Sequence, residues 1–358
     1  MIQAGPQSAF APTEVLISAD SHIVEAADFM EARLPAAFRT RAPRFPEERI
    51  GERHQAHPGG RDPKLRVSEM DMDGVSAEVI YPSYPMKLFS LEKEDADLQE
   101  ACFRAYNDWL SEYCSASSDR IIGIGMISTY NIESAVQELE RCRHNGMRGV
   151  MIWQSPHPDL RFTSDHYDPF WKAAQDSQMP VSIHSLTGHG EAHKRFGTRQ
   201  GDRQGLDRYR GRSYHQFDIT NALFDIVFSG VLERFPRLKL VLVEYEIGWI
   251  PFVLQGWDRS VRKFDKNTTL SISKPPSEYF NRQVYATFFN DYVGGQTLSW
   301  WGQDNMMWSS DYPHPNSTWP HSRETVARTL GHLTPECRDK VVRSTAAKLY
   351  HIRLPGSG

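Results

Sequence analysis

The chain has 358 residues, of which 39% are hydrophobic and 24% charged, with a formal net charge of −4. That balance gives no electrostatic basis for binding nucleic acid or an anionic membrane surface. No apolar stretch reaches the roughly 18 residues of a membrane span, and the opening M-I-Q-A-G-P-Q-S-A-F-A-P-T lacks the basic start and apolar core of a secretory signal, so a cytoplasmic location is expected.

Cys102, Cys114, Cys142 and Cys337 are too few for a disulfide framework, and none forms a C-x-x-C pair. Neither a thiolate zinc site nor a redox pair is therefore expected. The 14 histidines are more informative, because several stand beside aspartate, proline or glycine where apolar runs end.

In chain order, strand-like runs are V-L-I-S-A-D (15–20), A-E-V-I-Y-P (77–82), I-I-G-I-G-M-I (121–127), G-V-M-I-W (149–153), P-V-S-I-H (180–184) and L-K-L-V-L-V-E (238–244). Weaker runs follow at 284–289 and 305–311. Between them, 97–114 and 131–143 carry apolar residues at three-to-four spacing, as amphipathic helices do, with Asn131 as an N-cap. Eight strands alternating with helices predict a somewhat distorted (β/α)8 TIM barrel over residues 1–358. A doubly wound sheet is the structural alternative, but no G-x-G-x-x-G follows the first strand to make it a dinucleotide fold. Residues 35–66 read as an insertion after strand 1. Residues 186–220, polar and glycine-rich, read as a long active-site loop after strand 5.

Barrel chemistry sits at the C-terminal ends of strands. Those positions hold Asp20 and His22 (strand 1), His184 (strand 5), Glu244 (strand 6) and Asp311 (strand 8). Asp20 and His22 are two apart and so face the same side of a strand. Each residue also has a plain structural reading: a turn aspartate, a core histidine, a glutamate paired with arginine. Their convergence on one mouth instead suits a divalent ion held by imidazole and carboxylate. Trp249, Trp308 and Trp319 flank strands 6 and 8, where they either line a pocket or belong to the core.

With these motifs in view, nearly the whole chain resembles the amidohydrolase-related family of metal-dependent hydrolases and nonoxidative decarboxylases, which includes the aminocarboxymuconate-semialdehyde and γ-resorcylate decarboxylases. The resemblance is carried by I-S-A-D-S-H-I-V-E, E-M-D-M-D-G-V-S-A-E-V-I-Y-P-S, F-S-G-V-L-E-R-F-P-R-L-K-L-V-L-V-E and W-S-S-D-Y-P-H-P-N-S-T-W-P. It implies metal ligands at Asp20, His22, His184 and Asp311, and one divalent ion, zinc first, with manganese or iron as alternatives. It also implies that Asp311 relays protons and that Arg66 holds a substrate carboxylate; a surface pairing of Arg66 with Glu69 or Asp71 is the other reading. The decarboxylases carry an acid/base histidine after strand 6, where this chain has Glu244, so that work falls to Glu244 or to His215 in the strand-5 loop.

The function expected is cleavage of a C–C or C–N bond in a small aromatic or unsaturated carboxylate or carbonyl compound, with Trp249 and Trp319 against the substrate. Decarboxylation and hydrolysis are both open. An iron-dependent oxygenase and a non-catalytic binding barrel are the alternatives from other classes. The partners expected are a small-molecule substrate and further copies of the chain, in a dimer or larger homo-oligomer.

Overall fold

The computed structural model describes residues 14–45, 57–189, 218–264 and 270–353. Eight parallel strands follow one another in chain order as one sheet: β1 Leu16–His22, β2 Val75–Tyr81, β3 Ile121–Met126, β4 Gly149–Ile152, β5 Val181–His184, β6 Leu240–Val243, β7 Val284–Phe288 and β8 Met306–Trp308. Helices cover the outside, so both faces of each strand are buried and runs such as the L-V-L-V of β6 stay apolar throughout. Each fully buried Leu, Ile or Val contributes about 1.5–3 kcal/mol.

β1 and β8 lie side by side. Just past β8, Asp311 N–H donates to the Asp20 carbonyl (3.0 Å) and His22 N–H to the Tyr312 carbonyl (2.6 Å). The backbone that closes the barrel is therefore the backbone that brings Asp20, His22 and Asp311 together. Ser18, Ser21 and Ser310 brace the same junction, their hydroxyls 2.9–3.1 Å apart in a buried cluster.

All eight expected strands exist, the weak pair included. The expected helices are Ala96–Ser115 and Ile132–His144, and Asn131 caps the second by accepting from Glu133 N–H and Ser134 N–H. The excursion after β1 ends sooner than its composition suggests. Pro63 opens a helix, Pro63–Asp73, that Asp62 caps and Gly74 terminates in left-handed backbone at φ +73°. A side chain at Gly74 would also collide with Arg323. Arg66 is thus a helical residue facing β2, not part of a loop. Most of the loop after β5 (190–217) lies outside the described residues; 218–228 are helical. No described helix is long and apolar enough to cross a membrane.

Candidate metal centre

β1 points Asp20 and His22 to one side, β5 ends on His184, and Asp311 stands three residues beyond β8; all four side chains are buried. His22 Nε2 is 3.5 Å from Asp20 Oδ1 and 3.6 Å from Asp311 Oδ1, and His184 Nε2 is 3.7 Å from Asp20 Oδ1. These are too long for hydrogen bonds. Asp20, His22 and His184 offer donor atoms that all lie within 4.8 Å of one another, as ligands about 2.1 Å from a shared ion do, and Asp311 adjoins them through His22, with which it forms a second such group beside His314. Both oxygens of Asp20 and the Nε2 atoms of His22 and His184 are buried without a hydrogen-bond partner. Leaving such a group unsatisfied costs about 1–3 kcal/mol, and more for a charge. A shared cation removes that cost from all of them at once.

The tautomers agree. His22 Nδ1 is 2.8 Å from the Pro82 carbonyl and His184 Nδ1 is 2.9 Å from the Ser185 carbonyl. A carbonyl only accepts, so each Nδ1 carries a proton and each Nε2 faces inward; burial lowers the His184 pKa, but the Asp20 and Glu244 carboxylates outweigh it and raise it, as negative groups awaiting a cation do. Burial, reinforced by His314 and His184, holds the His22 pKa well below the ordinary histidine value, which keeps that ring neutral. The residues fit a divalent ion.

A fifth residue joins them. His314 Nδ1 is 2.7 Å from Asp311 Oδ1, its ring stacks on that of His22 with centroids 4.0 Å apart, and its Nε2 stands 3.4 Å from Ser83 Oγ. Burial pushes Asp311 up to about 7, with His314 opposing it. Burial also works against a charged His314, but the Asp311 carboxylate outweighs it and raises the imidazole to about 9. The pair favours a protonated imidazole held against a carboxylate. His314 is not among the residues singled out from the sequence, although it sits between two prolines three residues after Asp311.

The other expected site residues are placed as follows. Glu244 directly follows β6, accepts a short hydrogen bond from Ser185 Oγ and lies 3.6 Å from His184 Nδ1, and its charge also bears on Asp20, Asp311 and His314. Arg66 is fully buried. Its Nε is 2.5 Å from Glu78 Oε2 and its Nη1 donates to the His22 carbonyl, with the guanidinium over the Tyr312 ring. It makes no pair with Glu69 or Asp71; instead it braces the strand that carries His22. Trp249 Nε1 donates to the Tyr245 and Glu246 carbonyls, and Trp319 Nε1 to the Glu69 carbonyl, while Trp308 is core. His215 lies outside the described residues.

Two of these carboxylates stand in left-handed backbone, Glu244 at φ +66° and Asp311 at +55°. Such conformations cost a non-glycine residue about 1–3 kcal/mol and persist where a site requires them. They follow the last strand residue directly or nearly so. The side chain is thereby aimed by the turn, not by the strand's alternation.

A parallel barrel with imidazoles and carboxylates converging at its C-terminal mouth defines a metal-dependent enzyme class. The chain belongs to the amidohydrolase family, whose model matches residues 17–352. It is 24% identical over 260 residues to 2-amino-3-carboxymuconate-6-semialdehyde decarboxylase of Dictyostelium discoideum, an alignment covering 71% of this chain and 67% of that one. Among solved structures, an amidohydrolase of Mycobacterium avium subsp. paratuberculosis matches with a TM-score of 0.79 at 18% identity, over 95% of this chain and all of its own (100%). A dihydroxybenzoic acid decarboxylase of a Polaromonas species, with bound manganese and the inhibitor 2-nitroresorcinol, matches with a TM-score of 0.69 at 19% identity, over 96% and 98% of the two chains.

Proposed function

We propose that this chain is a divalent-metal-dependent decarboxylase of small aromatic or unsaturated carboxylates. Asp20, His22, His184 and Asp311 hold the ion. Two imidazoles with carboxylate oxygens suit zinc, our first choice, and equally manganese, which the Polaromonas structure contains. When bound, the ion supplies positive charge that orients and polarises a substrate carboxylate or a neighbouring oxygen.

The observation that carries decarboxylation over hydrolysis is the His314–Asp311 hydrogen bond of 2.7 Å at the edge of the cluster. Loss of carbon dioxide breaks a C–C bond and leaves the electron pair on carbon, which must then take a proton. His314 gives that proton and recovers one from solvent, to which its side chain is 22% exposed. Asp311 holds the ring in place through Nδ1 and stabilises its protonated form. Arg66 supports the site from beneath by fixing the His22 carbonyl. The names of the Dictyostelium and Polaromonas proteins support the substrate class.

The test uses protein loaded with zinc or manganese, a panel of carboxyl-13C-labelled hydroxybenzoates and unsaturated carboxylates, and D2O as solvent. Labelled carbon dioxide and one deuterium at the vacated carbon are expected. Hydrolysis of amides, esters or lactones with no release of label from the panel overturns the reading in favour of a hydrolase.

A further inference from the structure

Among the described residues, one further group of metal-binding side chains shares nothing with the central cluster: Glu92, His157 and His189, with one donor atom of each within 4.8 Å of the others. We propose that these three form a second divalent-metal site, which ties together three loops at the barrel mouth. Glu92 comes from the connection after β2, His157 from the loop after β4 and His189 from the loop after β5. The chain that supplies His184 to the central cluster thus supplies His189 to this one, five residues later.

The geometry suits a cation. His189 Nε2 is 3.0 Å from Glu92 Oε2, and the His157 and His189 rings lie edge to face with centroids 4.4 Å apart. Two imidazoles and one carboxylate are a zinc donor set that leaves room for water. Each loop is fastened beside its ligand. His189 N–H donates to the Ser155 carbonyl (2.8 Å) and Gln154 N–H to the Thr187 carbonyl (3.0 Å), which locks the His157 and His189 loops together. Tyr130 donates to the Leu91 carbonyl (2.7 Å), next to Glu92, and its ring packs against both histidines. Three ligands on separately anchored loops lose little freedom on binding an ion, so the site is preorganised.

One adjustment is required. His157 Nδ1 accepts from Asp159 N–H at 3.2 Å. Binding through Nε2 places the proton on Nδ1, and Asp159 Oδ2, 3.8 Å away, is the acceptor at hand. Asp159 then stands behind His157 as the Pro82 and Ser185 carbonyls stand behind His22 and His184.

The inference goes beyond the proposed function and is tested without any substrate. Tag-free protein is stripped of metal, titrated with Zn2+ and analysed for bound metal after gel filtration, alongside His184→Ala, Glu92→Ala and the double variant His157→Ala with His189→Ala. Wild type is expected to bind two equivalents. The double variant is expected to bind one, Glu92→Ala to hold its second equivalent at least tenfold more weakly, and His184→Ala to retain the second site while losing the first. Since Glu92 is about half exposed (52%), Glu92→Ala keeps the test valid if the double variant does not fold. The second equivalent should also raise the thermal midpoint of wild type and leave that of Glu92→Ala unmoved. A single equivalent in wild type that the double variant retains and His184→Ala loses, or a second equivalent bound as tightly by Glu92→Ala, overturns the second site. A missing first equivalent with the second intact overturns the central cluster instead.

Discussion

His314 donates through Nδ1 to Asp311 Oδ1 at 2.7 Å while its ring lies flat against His22 at 4.0 Å. One histidine thus touches two of the four residues proposed to hold the ion. It is placed to carry a proton to and from the space above them.

Replacing His314 by Asn or Gln removes the group that titrates and retains polarity. General acid–base groups contribute about 10²–10⁴ in rate, so turnover is expected to fall within that range while metal content and thermal midpoint hold. Near-normal turnover in the variant would remove His314 from the chemistry and leave Glu244 and His215 as candidates.

Glu244 stands 3.6 Å from Nδ1 of His184. Groups that support a ligand histidine typically affect metal affinity by about 10–100-fold. Glu244→Gln is therefore expected to weaken metal binding by about tenfold and to regain turnover when metal is in excess. A collapse of turnover with metal fully bound assigns Glu244 the role of base.

Arg66 and Glu78 form an ion pair that is almost completely buried, at 0% and 3% exposure. Removing one partner strands the other, which costs about 3–5 kcal/mol. Arg66→Met should lower the denaturant midpoint accordingly, and adding Glu78→Gln should recover part of the loss. A variant that keeps its midpoint and loses only substrate affinity returns Arg66 to the substrate site.

Glu246 is pushed up to about 8 by burial, with the Asp291 carboxylate adding to the effect. Unfolded, the same carboxyl titrates near the ordinary glutamate value of 4.5. Between those values the folded chain holds more protons than the unfolded one, so this group lowers stability as pH rises through that window and changes nothing further above it. Glu246→Gln is expected to match wild type in thermal midpoint at pH 5 and to exceed it increasingly towards pH 8. A difference that does not vary with pH contradicts the shift.

Much of this was legible in the residues. Apolar runs ending in Asp20-x-His22 and His184 mark strand ends, because a strand's alternation fixes which side chains share a face. Asn131 announces a helix start by its local chemistry, whereas the helix that Asp62 caps was hidden in the Pro-, Arg- and Gly-rich composition of 35–66. What could not be read depends on contacts distant in the chain. Arg66 looks like a surface residue until β2 brings Glu78 against it from twelve positions on. His314 acquires its role from a turn that folds it back onto Asp311 and from β1, which sets His22 beneath it. Glu244 is aimed by left-handed backbone that the apolar pattern of β6 does not encode.

Asp20, His22, His184 and Asp311 are proposed to hold one catalytic divalent ion. The most direct measurement is anomalous scattering at the zinc or manganese edge from crystals of the active, metal-loaded protein. A peak is expected about 2.0–2.2 Å from Nε2 of His22 and of His184 and from the Asp20 and Asp311 carboxylates. Active crystals with no peak among these four residues would contradict that assignment.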